Sequence, residues 1–407
     1  MEESIDIFAW KKKVSYPGML RIIGFFVLVF MSVSCRGNNE GKIRTGAEQP
    51  DKYLPLLRNK KTGLVVNHSS IIGEIHLVDF LLEQDVEVKR IFAPEHGFRG
   101  NVQAGEMIEN GMDKKSNIPV VSLYGNNMKP LPVHLKDIDI VVFDIQDVGC
   151  RFYTYISTLH LVLEACAGNG IVLVVLDRPN PNGNYIAGPV LEPGFKSFVG
   201  MNQVPVVHGC TTGEFARMIN GESWHQAPQK CDLIVIPVKN YDHKKSYSLP
   251  VAPSPNLPND LSVRLYPSLC FFEATSVSIG RGTEFPFQVI GGINPLLGHF
   301  KFIPRSIPGV ADNPLNEGKV CYGVDLRRLH EVPEFTLKYF LGFYHMFENE
   351  EDFLTREHWF NLLAGNDTLI RKIRQGFSLK EIEDSWLPGL EKYKKVRKKY
   401  LLYPDFE

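Results

Sequence analysis

The stretch Ile138-Asp139-Ile140-Val141-Val142-Phe143-Asp144-Ile145-Gln146-Asp147 runs through four consecutive apolar side chains, Ile140 to Phe143, and then turns polar. A strand with one wet face alternates apolar and polar residues. This run does not alternate, so a strand over residues 138–143 is expected to be buried on both faces. The same pattern predicts strands over residues 63–66, 88–93, 119–123 and 171–176, with helical segments over 76–83 and 153–167 between them. Such alternation specifies an α/β fold, a Rossmann-like domain with a doubly wound parallel sheet.

Polar side chains cluster where these strands end. Asn67 and His68 follow the first, Glu95 and His96 the second, and Tyr124 the third. Asp144, Gln146 and Asp147 follow the fourth, and Asp177, Arg178 and Asn180 the fifth. Open parallel sheets bind ligands beyond the carboxyl ends of their strands, so the five ends are expected to converge on one crevice. No G-x-G-x-x-G or G-x-x-x-x-G-K-[ST] stands at these turns, which argues against a dinucleotide or P-loop site, and no cofactor is expected.

Pro94-Glu95-His96-Gly97-Phe98-Arg99-Gly100 delivers a carboxylate, an imidazole and a guanidinium within five residues, just past a strand end. Three ionisable types so close together are site chemistry rather than core chemistry. Asp144, Gln146, Asp147, Arg151, Tyr153 and Tyr155 place carboxylates, an amide, a guanidinium and phenols within twelve residues, a set able to orient a sugar. Asp147 has a second reading as the cap of the following helix. Arg178 and Asn180 lie in a loop stiffened by Pro179 and Pro181. No H-E-x-x-H or H-x-H spacing is present, and no metal is expected.

Ahead of this domain, Lys11, Lys12, Lys13 and Arg21 precede an apolar run over 22–30, too short for a membrane-spanning helix but suited to a signal peptide. Cys35 follows that run as the acylated cysteine of a lipoprotein would, although Ser32 stands where such signals usually have leucine. Residues 1–35 are thus read as a signal segment ending at a candidate lipidated Cys35, and 36–52 as a tether. The mature chain is expected to be periplasmic or held on the membrane by that anchor alone. Residues 53–235 form the Rossmann-like catalytic domain, and 236–407 a second, smaller α/β domain closing the cleft. That half carries a predicted strand over 276–279, the loop containing Arg281 and Glu284, and helices over 335–347, 351–363, 367–376 and 389–401. With 45 basic against 46 acidic residues, nucleic-acid binding is disfavoured. Cys150, Cys166, Cys210, Cys231, Cys270 and Cys321 form no C-x-x-C pair and read as buried thiols.

Together, Asn67-His68-Ser69-Ser70, Pro94 to Gly100, Ser122-Leu123-Tyr124-Gly125, Phe143 to Tyr155, Leu176 to Pro181, Pro253-Ser254-Pro255-Asn256 and Gly280-Arg281-Gly282-Thr283 stand in order. From about residue 55 onward the chain resembles the exo-β-N-acetylmuramidases, glycoside hydrolases acting on peptidoglycan fragments. The resemblance implies release of N-acetylmuramic acid from the non-reducing end of a muramic-acid-containing glycan, in a cleft between a Rossmann-like and a smaller domain. It aligns Glu95 with the family's proposed catalytic glutamate. The chain departs at Ala274 and Ser276, where members more often carry Gly and Asn.

Glycoside cleavage needs an acid for the leaving oxygen and a second group as nucleophile or base. Glu95 takes the first role, and His96 and Asp147 are candidates for the second. Arg151, Arg178 or Arg281 is expected to grip the lactyl carboxylate of muramic acid, with Asn67, His68, Arg99, Tyr124, Asp144, Gln146, Tyr153, Asn180 and Glu284 completing the sugar contacts. Two other readings stand beside this one: a surface lipoprotein that binds muropeptides or glycans without cutting them, and a metal-dependent muropeptide hydrolase.

Overall fold

The computed structural model describes residues 41–95, 97–98, 111–125 and 127–407. The signal segment, Cys35, His96 and Arg99 therefore lie outside the described residues. Residues 42–407 pack as one compact unit.

The chain enters through α1 (Pro50–Leu57) and β1 (Thr62–Val66), and a short ribbon, β2 (Ile71–Ile72) with β3 (Ile75–His76), leads into α2 (Leu77–Glu83). Then come β4 (Val88–Ala93), β5 (Gly111–Met112), β6 (Pro119–Ser122), α3 (Pro132–Leu135) and β7 (Ile140–Asp144). The sequence next forms α4 (Tyr155–Asn169), β8 (Val172–Leu176), α5 (Thr212–Gly221) and β9 (Leu233–Ile236). Seven of these strands form one sheet in the order β5-β6-β4-β1-β7-β8-β9, parallel except for the edge pair β5-β6. Leaving β5 aside, the order from β6 to β9 is 3-2-1-4-5-6 in chain sequence, the Rossmann arrangement, with its switch point between β1 and β7.

The continuous apolar runs are buried on both sides because successive side chains face opposite layers. Leu64, Val66, Ile91, Val142 and Val174 pack with α1 and α2, whereas Val65, Phe92, Val141, Phe143 and Val175 pack with α4 and α5. α4 is buried along most of its length and stops at Gly170, whose φ of +66° lets its N–H reach back to the carbonyls of Cys166 and Ala167.

After β9 the chain leaves the sheet through α6 (Asp260–Leu269) and a 3₁₀ turn over Cys270–Ala274. β10 (Val289–Gly292), β11 (Phe300–Phe302) and β12 (Cys321–Asp325) form a small antiparallel sheet. The tail is helical: α7 (Lys338–Tyr344), α8 (Glu350–Phe353), α9 (Glu357–Ala364), α10 (Thr368–Arg374), α11 (Leu379–Asp384) and α12 (Leu387–Arg397). An aromatic cluster including Phe271, Phe272, Phe340, Phe353 and Phe360 joins this half to the core that holds Phe143 and α4.

Three expectations change. Residues 276–279 are no regular strand, making only the Ser278–Gly291 bridge. The helix expected over 351–363 is broken between α8 and α9, because the N–H groups of Thr355 and Arg356 both turn to the carbonyl of Ala274, at 3.1 and 3.0 Å. The stretch read as a tether is packed from Arg44 onward. Gly46 donates to the Asp177 carbonyl at 2.7 Å, and an added Cβ there would meet Ile236 O at 2.5 Å. The far terminus returns to the same place: Tyr403 donates to Asp177 Oδ2 at 2.5 Å, and Arg397 grips Asp405 while donating to the Gly209 carbonyl. The six cysteines after Cys35 are buried free thiols.

Candidate active site

A cavity of about 820 Å³ is lined by the segments after β4, β6 and β7 on one side and by residues after α6 on the other. Glu95 follows β4 after a single proline and is nearly buried there. Thr154, just before α4, donates its hydroxyl to Glu95 Oε2 at 2.5 Å. Tyr124, beyond β6, also hydrogen-bonds Glu95; burial first, then this carboxylate, raises the phenol pKa, so Tyr124 stays a neutral donor. Tyr153 and Tyr155 pack edge to face, 4.9 Å apart, and both donate to the Pro253 carbonyl. That carbonyl belongs to the segment whose Ser254 and Asn256 also line the cavity.

The opposite wall carries charge and aromatic surface. Arg281 Nη2 pairs with Glu273 Oε1 at 2.5 Å, and its guanidinium lies 5.1 Å from the centre of the Phe287 ring. Arg356 and Trp359 stand at the start of α9, and Phe198 and Asp312 complete the enclosure. One carboxylate held by two hydroxyls, facing aromatic and guanidinium groups across a sugar-sized space, can deliver a proton to a bound glycoside.

A family model for the N-terminal part of exo-β-N-acetylmuramidase NamZ matches residues 62–261, and one for its C-terminal part matches 264–403. The chain belongs to the exo-β-N-acetylmuramidase NamZ family. The peptidoglycan β-N-acetylmuramidase NamZ of Bacillus subtilis (strain 168) is 38% identical over 387 residues, spanning 89% of this chain and 92% of its own. Two DUF1343 family proteins of Bacteroides fragilis share the fold. One has TM-score 0.83 at 44% identity and the other 0.77 at 28%, each match covering 89% of this chain and 99% of the relative.

Against this NamZ-type frame, the residues expected at the site divide into two groups. Glu95, Tyr124, Tyr153 and Arg281 line the cavity. The others near the switch point fill it with their own hydrogen bonds and stand off the cavity wall. Asp144 is sealed against Arg178, with Nε to Oδ1 at 2.6 Å and Nη2 to Oδ2 at 2.8 Å. Asn67 accepts from Ser69, and Gln146 donates to the carbonyls of Asp147 and Pro179. Asn180 donates to Cys210 O, and His68 contacts Ala252 O through Nε2. Arg151, expected to bind substrate, is wholly buried, with its guanidinium on the carbonyls of Pro189, Val204 and Leu363. Glu284 is exposed, outside the lining. The strand ends thus build a polar floor, and the cavity opens above β4, β6 and the entry to α4. Thr154, Asn256, Arg356 and Trp359 were missed by sequence reasoning. The polar residues at 154–155 and the Pro253–Asn256 motif carried some signal for the first two.

Asp147, a candidate for the second catalytic group, is buried off the cavity wall. Its Oδ1 accepts from Gly149 N at 2.7 Å, while Oδ2 has no hydrogen-bond partner among the described residues. Burial pushes this carboxyl up to about 7 from 3.8. Between those values the folded protein holds a proton that the unfolded chain releases, so this group's contribution to stability is lost as pH rises through the window. Asp147→Asn is expected to abolish that loss, raising the urea midpoint over wild type at pH 8 but not at pH 4. Parallel pH profiles in wild type and variant would contradict this.

Proposed function

We propose that the chain is an exo-acting glycoside hydrolase that releases N-acetylmuramic acid from the non-reducing end of peptidoglycan fragments, with Glu95 as the proton donor. The observation that carries the reading is Glu95 itself: a nearly buried carboxyl, held by Thr154 and Tyr124 at the cavity wall, in a chain of the NamZ family. Protonating the leaving oxygen lets the anomeric carbon develop oxocarbenium character, and the phenols of Tyr124, Tyr153 and Tyr155 surround that site as neutral dipoles. Aromatic walls give the sugar ring apolar faces to rest on.

The test is a chromogenic β-N-acetylmuramide beside the matching β-N-acetylglucosaminide, using the purified chain. Release from the muramide alone is expected. Release from neither sugar overturns the reading. Export accords with a cell-wall substrate, and we propose that residues 1–35 direct it and that Cys35 carries the anchor. No described helix is long and apolar enough to cross a membrane.

A further inference from the structure

We infer that Arg356 is the specificity-determining residue that receives the substrate's carboxylate. The inference rests on the muramidase reading, since the carboxyl of the lactyl group is what distinguishes N-acetylmuramic acid from N-acetylglucosamine. Among the described residues, the cavity lining contains two guanidinium groups, Arg281 and Arg356, and no lysine or histidine. The charge of Arg281 is already answered by Glu273. Arg151 and Arg178, the other arginines expected to do this work, are buried on carbonyls and on Asp144.

Arg356 differs from all three. It makes no ion pair and no side-chain hydrogen bond among the described residues, and its guanidinium carbon lies 5.5 Å from the centre of the Trp359 ring. A cation–π contact of this kind holds a guanidinium near the indole face while leaving its N–H edge open for a bidentate carboxylate.

The backbone beneath it is also fixed. Thr355 and Arg356 donate to Ala274 O, Ser276 N donates to Phe353 O at 2.9 Å, and Ser276 Oγ donates to Asp352 O at 2.6 Å. These contacts create the break between α8 and α9 that turns Arg356 toward the cavity. Ala274 and Ser276 thus hold this arginine's loop. Electrostatics point the same way. The cavity wall also holds Glu95, Glu273 and Asp312, and with Arg281 matched to Glu273 a bound carboxylate needs a further cation to face.

The experiment uses the full chain as wild type, Arg356→Gln, Arg356→Lys and, as a charge control on the exposed face of α10, Arg371→Gln. Substrates are an aryl β-N-acetylmuramide and the same compound with its lactyl carboxyl converted to a neutral amide. Arg356→Gln is expected to raise KM for the acid about 10-fold or more, as loss of a charge-assisted pair predicts, with kcat nearly kept. KM for the amide should not move, Arg356→Lys should recover part of the loss, and Arg371→Gln should match wild type. An unchanged KM for the acid in Arg356→Gln, or an equal rise for acid and amide, overturns the inference.

Calorimetry with free N-acetylmuramic acid and its lactyl amide separates this from the activity. A wild type that cuts nothing, yet binds the acid over the amide through Arg356, sinks the hydrolase reading and keeps Arg356. Absence of that preference in wild type, or its survival in Arg356→Gln, overturns the inference.

Discussion

Glu95→Gln is expected to lower kcat/KM on a β-N-acetylmuramide by about 10³-fold, within the range for loss of a general acid, while thermal stability stays close to wild type. The amide keeps the shape and can still accept the Thr154 hydroxyl, so the cavity should survive. What disappears is the proton for the leaving oxygen. An aryl glycoside with a very acidic phenol needs little protonation, so the deficit should shrink as the leaving phenol's pKa falls. That dependence separates a lost acid from a distorted pocket, which would slow all leaving groups alike. A uniform small loss would mean that Glu95 only positions the sugar.

The second large effect concerns folding. Arg178 and Asp144 form a two-pronged ion pair with side chains about 2% and 0% exposed. Removing one partner of such a pair leaves a charge in low dielectric and typically costs about 3–5 kcal/mol. Arg178→Met is expected to lose stability on that scale in urea unfolding. The double variant Arg178→Met/Asp144→Leu should regain much of it, because two apolar side chains need no counter-ion. Wild-type stability in Arg178→Met, with a raised KM for the muramide, would return Arg178 to the substrate-binding role its sequence position suggested.

These two residues show where reading the sequence stops. Both follow a strand, both are charged, and nothing in their neighbours separates the one lining the cavity from the one locked beneath it. The difference is the sheet order. Asp144 ends β7 at the switch point, next to β1, where the Asn67–Ser70 turn and Arg178 from the next strand close over it. Glu95 follows β4, on the far side of β1 from β7, where the crevice is still open.

The sequence by itself determined the Rossmann-like sheet, since apolar runs without alternation have no stable place except between two helical layers. It also singled out Glu95, which lines the cavity, because a carboxylate between a buried strand and a glycine turn has few structural uses. Only the tertiary structure decided which polar groups share a cavity. Arg356 lies 261 residues beyond Glu95 in the chain. It reaches the same space because a carbonyl at Ala274 breaks a helix that local periodicity would have continued. Hydrogen bonds between distant segments leave no trace in the spacing of residues, and here they set the cavity wall across from Glu95.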